Sequence, residues 1–237
     1  NCLLNMNTAI IVAAGSGSRF GSDKPKQFAD LHGKPVIIHT IERFEACDAI
    51  DEIVLVLSES GKQQFQISYF RSEITKLRSI VVGGSTRTES VRNGFDAVDP
   101  LTEIVAVHDG ARPLVTTDEI ARTVAKADET GAACLVAEVT DTIKEIEDGH
   151  ISRTIDRNRL RRALTPQAFQ YDILKRAFAG ADLHNSVTDE CYLVEKLGVK
   201  ISIVEGSANN IKITRSQDML FAKSVIAAGY GSRMVSE

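Results

Sequence analysis

Cysteine is sparse and scattered: Cys2, Cys47, Cys134 and Cys191 are all there are, and no two form a C-x-x-C pair. That argues against a disulfide framework and against a structural zinc site, and it makes a reducing cytoplasm the expected setting. Long apolar runs are missing too. Nothing approaches the roughly 18 residues needed to cross a bilayer, and residues 1–7 lack the basic flank and apolar stretch of a signal peptide, so no membrane partner is expected. A basic stripe is also absent. The 28 Lys and Arg are mixed with 32 Asp and Glu to a net charge of −4, which argues against a nucleic-acid partner. Any anion this chain binds must therefore meet a local basic site.

With 237 residues, 43% of them hydrophobic, the chain can bury one sizeable core, and a single domain over residues 1–237 is expected. Short runs rich in β-branched residues at 9–12, 53–57, 80–82, 104–108, 133–137 and 201–204 read as buried strands. Between them, 36–47, 89–98, 117–130 and 171–178 carry apolar residues at helical spacing. This alternation predicts an α/β, Rossmann-like three-layer sandwich with a mainly parallel central sheet, whose ligands lie beyond the carboxyl ends of the strands. Residues 139–162 break the rhythm. Thr142-Ile143-Lys144-Glu145-Ile146 alternates, Glu147-Asp148-Gly149 turns, and an extended run follows from Ile151 to Ile155, the pattern of a β-hairpin. An isolated hairpin is marginally stable, so this segment reads as a projecting β-arm that packs on a second subunit. Near the C-terminus, Ala227-Ala228-Gly229-Tyr230-Gly231-Ser232-Arg233 echoes Ala13-Ala14-Gly15-Ser16-Gly17-Ser18-Arg19. No strand-helix unit follows the echo, so it does not signal a repeated domain.

The stretch after the first strand, Ala13 to Phe28, combines small residues with Arg19, Lys24 and Lys26. Small residues let successive backbone N–H groups approach an anion, so it reads as a triphosphate cradle or, more blandly, as a flexible glycine loop. It lacks the G-K-[ST] ending of a P-loop, and Phe20 stands at the third glycine of the dinucleotide fingerprint, which argues against a nicotinamide dehydrogenase. Gly83-Gly84-Ser85-Thr86-Arg87-Thr88-Glu89-Ser90 follows another strand and fits either a base or ribose contact or a plain turn and N-cap. The run His108-Asp109-Gly110-Ala111-Arg112-Pro113 puts a carboxylate at a strand end. Such an acid requires a cation, either Mg²⁺ or the neighbouring Arg112. Asp156-Arg157-Asn158, Leu164-Thr165-Pro166-Gln167, Thr188-Asp189-Glu190 and Asn210-Ile211-Lys212 complete the set; singly, each fits a cap, a turn or a solvated charge.

In this order, from Ala9 to about Ile226, A-A-G-x-G-x-R, P-K-Q, H-D-x-A-R-P, D-R-N, L-T-P-Q, T-D-E and N-I-K resemble the 2-C-methyl-D-erythritol 4-phosphate cytidylyltransferase family of the non-mevalonate isoprenoid pathway. The resemblance implies that CTP and a polyol phosphate are the substrates and that Mg²⁺ is the cofactor, bound at Asp109. It implies stabilisation of the reacting phosphates by Arg19 and Lys26, and positioning of the sugar phosphate by Arg157 and Lys212. Nucleotide contacts are implied at Ala13, Ala14, Gly15, Gly84 and Ser90, to which Gly17, Ser85, Asp109 and Thr165 are added. Asp109, Arg112, Thr142 and Thr188, with Arg157 and Lys212, are assigned to the sugar phosphate. It further implies a homodimer whose arms reach into each other's sites. Ser85 stands where the family often carries Asp, and Gly110 where Ala is usual. A ribitol 5-phosphate cytidylyltransferase and a non-catalytic nucleotide-binding regulator are the alternative readings. A phosphate monoester is largely dianionic at neutral pH, with a second pKa of about 6, so a single in-line displacement without a general base is expected.

Overall fold

The computed structural model describes residues 6–15, 20, 25–69, 74–181 and 189–229, the side chains of 67–69 excepted. Gly17, Arg19, Lys24 and Thr188, and most of the C-terminal echo, lie outside the described residues. Eleven strands are described: β1 (Met6–Ala13), β2 (Asp30–Leu31), β3 (Lys34–Pro35), β4 (Glu52–Leu57), β5 (Leu77–Val82), β6 (Thr102–Asp109), β7 (Ala132–Glu138), β8 (Ile143–Glu147), β9 (His150–Ile155), β10 (Arg161–Gln170) and β11 (Ser202–Glu205). The helices are α1 (Val36–Glu45), α2 (Glu59–Tyr69), α3 (Arg87–Phe95), α4 (Thr117–Thr130), α5 (Tyr171–Ala179), α6 (Glu190–Glu195) and α7 (Ser216–Ala227). No helix among the described residues is long and apolar enough to cross a membrane.

Seven strands form one sheet in the order β11-β7-β10-β6-β1-β4-β5. Pairings are parallel except around β10, which runs antiparallel to both β6 and β7. Both faces are covered, which is why the central strands read as unbroken apolar runs rather than alternating ones. Apolar side chains of α1, α2 and α4 pack on one face. Those of α3, α5 and α6 pack on the other, completing three layers. Met219 and Ala222 of α7 close a smaller cluster with Leu31, Val36 and Ile213. Sequence periodicity places α4 at its observed bounds and α1, α3 and α5 within three residues of theirs, whereas α2, α6, α7 and β10 emerge only in the structure.

Helix starts are written locally. Thr86 and Glu89 at α3, and Thr116 and Glu119 at α4, each form a reciprocal capping box that satisfies amide groups left open by a first turn. The strand order runs outward in opposite directions from β1, with β4 on one side and β6 on the other. The gap beyond its carboxyl end is therefore the natural binding position of an open α/β sheet. The arm emerges between β7 and β10 as the hairpin β8–β9, a separate two-stranded sheet.

Candidate active site

Beyond the ends of β1, β5 and β6 lies a cavity of about 530 Å³. Its rim includes Ala13, Ala14, Gly15, Lys26, Gly84, Ser85, Ser90, Asp109 and Lys212, so the structure brings nine of the expected residues to one space. Gln27, Thr86, Arg87 and Thr214 line it as well. Gln27 anchors the P-K-Q segment by donating from Nε2 to the carbonyls of Ala13 at 2.9 Å and Gly15 at 3.3 Å. On the opposite edge of the motif, Lys26 Nζ donates to the Ile213 carbonyl at 2.8 Å.

The Gly84 turn is braced from within. Ser90 Oγ accepts the Gly84 N–H at 3.1 Å and donates to the Thr86 carbonyl at 2.8 Å. Ser85 donates from both N and Oγ to Glu89 Oε2, at 2.7 and 2.6 Å. A Cβ at Gly84 would stand 2.4 Å from Glu89 Cβ, so only glycine permits this approach. Gly110 is equally tight. The methyl group of an alanine there would meet Ile37 Cδ1 at 2.7 Å and Ala13 Cβ at 2.8 Å, so the smaller residue brings the end of β6 close to the cradle.

Asp109 ends β6 and is 6% exposed. Three cations converge on it: Arg87 Nε reaches Oδ1 at 3.2 Å, while Arg112 Nε at 3.2 Å and Lys212 Nζ at 3.0 Å reach Oδ2. Burial alone would raise its pKa, but Arg87, Lys212 and Arg112 outweigh that and hold the carboxyl well below the ordinary carboxylate range. Arg87 continues to the buried Glu190, with Nη1 donating to Oε1 at 2.7 Å. Burial pushes the Glu190 carboxyl upward, against the pull of Arg87.

Thr165 does not line the cavity; it is buried behind Asp109. Its hydroxyl accepts the Asp109 N–H at 3.1 Å and, because the Arg112 carbonyl can only accept from Nε2 of the neutral His108 ring, donates to His108 Nδ1 at 3.0 Å. His108 Nε2 then carries the ring proton, which it donates to the Arg112 carbonyl at 3.2 Å. Burial pushes this histidine down to about 3, with Asp109 pulling the other way, so it is neutral near pH 7. The unfolded chain takes up a proton below the ordinary value of 6.5 that the folded chain refuses. Stability is therefore full above that pH and declines as pH falls toward 3. Urea unfolding should lose about 3 kcal/mol between pH 6.5 and 4 through this group. The same pH slope in His108→Gln would refute the assignment.

Arg112 supports Asp109 rather than lining the cavity, and its Nη1 donates to the Asn210 carbonyl at 2.8 Å. Arg157 and Thr142 are exposed on the arm and do not line this chain's cavity. Arg157 donates from Nη1 to the Thr140 carbonyl. Among the described residues no group of three or more His, Cys, Asp or Glu is arranged for a metal. Asp109 is the one expected ligand, and three cations already engage its oxygens. These residues fit Mg²⁺ only in the manner typical of nucleotide sites, where one carboxylate assists and phosphates and water supply the remaining ligands.

A glycine-edged, cation-lined cavity at the switch point of an open α/β sheet defines a nucleotide-handling domain, the class that includes the nucleotidyltransferases. Within that class, the chain belongs to the 2-C-methyl-D-erythritol 4-phosphate cytidylyltransferase family, whose IspD family model matches residues 7–228. The protein of that name from Syntrophus aciditrophicus is 42% identical over 226 residues, covering 92% of this chain and 94% of its own. Its namesake from Bacillus velezensis is 41% identical over 228 residues, covering 95% and 98%. The crystal structure of 4-diphosphocytidyl-2C-methyl-D-erythritol synthase from Anaerococcus prevotii superposes with a TM-score of 0.80 at 28% identity, over 94% of this chain and 99% of that one. The Francisella tularensis 2-C-methyl-D-erythritol 4-phosphate cytidylyltransferase gives 0.77 at 30% identity, over 92% and 99%.

Proposed function

We propose that this chain transfers the cytidylyl group of CTP to 2-C-methyl-D-erythritol 4-phosphate, releasing pyrophosphate and 4-diphosphocytidyl-2-C-methyl-D-erythritol. The observation that carries this reading is convergence: motifs spread from Ala13 to Lys212, which align the chain with its family, meet around one cationic cavity. An oxygen of the sugar phosphate attacks the α-phosphorus of CTP as the bond to pyrophosphate breaks. The attacking group is already anionic, so no base is needed. The protein's work is to align two mutually repelling anions and to stabilise charge on the departing pyrophosphate. Lys26, with Arg19, serves the second task, and Lys212, with Asp109 and Arg112 behind it, serves the first. Mg²⁺ held by the triphosphate and Asp109 would supply further neutralisation of phosphate charge.

The whole chain acts as one nucleotidyltransferase domain, with the arm at 139–162 inserted in it. Ile146 and Ile151 of the hairpin are 59% and 63% exposed, an arrangement that favours cover by a second subunit in a homodimer. Arg157 and Thr142 then serve the neighbouring site. Cys47, Cys134 and Cys191 are free and buried, which supports a reducing cytoplasmic setting.

Pyrophosphate release from CTP tests the reading directly, with methylerythritol phosphate and ribitol 5-phosphate in parallel. The first acceptor should react faster by about a hundredfold or more, and excess chelator should abolish turnover. Preference for ribitol phosphate would reassign the substrate, no release with either would remove the activity, and full turnover in chelator would remove the metal.

A further inference from the structure

We propose that Arg87 and Glu190 form a positioning pair for this cavity: Glu190 holds Arg87, and Arg87 fixes the Asp109 carboxylate so that Lys212 stays turned to the sugar phosphate. The inference rests on the reaction proposed above and assigns roles to two residues that reaction does not itself require.

The first support is the division of labour on Asp109. Its Oδ2 takes both Arg112 and Lys212, whereas Arg87 is the sole described partner of Oδ1. A carboxylate gripped at one oxygen can swing about its Cβ–Cγ bond. A second grip on the other oxygen fixes its plane, and with it the direction from which Lys212 is held. Arg87 is fixed at both ends in turn, by Asp109 at Nε and by Glu190 at Nη1. A planar guanidinium can bridge two carboxylates in this way; a lysine ammonium at the same place reaches one.

The second support is the placement of Glu190. It is fully buried, does not line the cavity, and its Oε2 has no hydrogen-bond partner among the described residues. Its described path to the substrate runs through Arg87. It opens α6, a helix too short to fix its own position, yet that helix is pinned. Asp189 Oδ1 accepts the Tyr192 N–H at 3.0 Å, and Gln167 of β10 donates to Asp189 Oδ2 at 2.9 Å and accepts the Cys191 N–H at 3.1 Å. Two sequence motifs, L-T-P-Q and T-D-E, thus lock together behind the cavity. A buried ion pair is weak support for stability, because an apolar pair of the same volume does as well. What it supplies here is geometry.

Glu190→Gln, Arg87→Lys and the double variant test the pair through steady-state kinetics, CTP binding and urea unfolding. Each single change should lower kcat/KM for the sugar phosphate by about tenfold to a hundredfold, with KM raised and kcat reduced, while CTP affinity stays within about threefold. Because the two act in series, the double variant should be no worse than the weaker single. A lowered unfolding midpoint with wild-type kcat/KM per folded molecule would make the pair structural and overturn the proposal. So would multiplying effects, or a loss of CTP affinity that accounts for the whole kinetic defect. Arg87→Lys keeps the charge and carries the same test should Glu190→Gln fail to fold. A wild-type chain that releases no pyrophosphate would remove the reaction itself, an outcome distinct from an active wild type with indifferent variants.

Discussion

Lys212→Ala will lower kcat/KM for the sugar phosphate by about a hundredfold to a thousandfold and leave CTP affinity within about threefold. The expectation follows from how Lys212 is held. Residues 210–213 form neither helix nor strand, yet this strap is stitched across the end of the sheet. Arg112 donates to the Asn210 carbonyl at 2.8 Å, and Asn210 Nδ2 donates to the Thr165 carbonyl at 2.9 Å. One residue beyond Lys212, Ile213 donates its N–H to Ala111 at 2.8 Å and accepts from Lys26 at 2.8 Å. With its flanks fixed and its ammonium on Asp109, Lys212 is placed before any ligand arrives, so its charge acts without a cost of ordering it during the reaction. The alanine variant leaves Asp109 with Arg87 and Arg112, so the fold should persist, and thermal unfolding checks that. Lys212→Arg keeps the charge but replaces a compact ammonium with a wide planar fork, and it should recover only part of the loss. A Lys212→Ala enzyme with kcat/KM within about threefold of wild type would take Lys212 out of the site.

The strap shows where sequence reading reaches its end. β1, β4 and β6 were legible because strands covered on both faces read as uninterrupted β-branched runs. β10 occupies the middle of the same sheet and was not legible. Its register shifts between Ala163 and Gln167, and the segment spells Leu164-Thr165-Pro166-Gln167, with a proline that disfavours a central strand. Thr165 and Gln167 are polar because their side chains brace Asp109 and α6. α6 spans only six residues, too few to show a helical period. Asp109 stood out as an acid in need of a cation, with Arg112 the neighbour in view. Arg87 and Lys212 join it only through folding, and Glu190 lies 103 positions from the arginine it meets. Arg87 and Glu190 were visible as letters in G-G-S-T-R-T and T-D-E, but their chemistry arises from juxtaposition that no local spacing encodes. Ser90, implied as a nucleotide contact, lines the cavity and also braces its own turn through two hydrogen bonds.

Mixed dimers of Lys212→Ala and Arg157→Ala chains should regain activity that neither variant has alone. Arg157 does not line the cavity of its own chain, where its described partner is the Thr140 carbonyl, and the hairpin presents Ile146 and Ile151 to solvent, so the described residues of one subunit offer neither cover for that apolar face nor a place for the arginine in the site. A two-fold dimer supplies both at once, because an isologous interface sends each arm to the other's site. Suppose the two nearly inactive proteins are unfolded together and refolded in equal amounts. In a mixed dimer, the site built on the Lys212→Ala chain also receives the defective arm and carries both lesions. The site built on the Arg157→Ala chain keeps Lys212 and receives a wild-type arm, so it is intact. Random pairing makes about half the dimers mixed, each with one working site, and activity should return to about a quarter of wild type per subunit. If Arg157 serves its own chain, every site retains one lesion and no activity returns. Recovery near zero, with mixed dimers confirmed by mass spectrometry, would therefore reject the shared site while leaving the cytidylyltransfer reaction untouched.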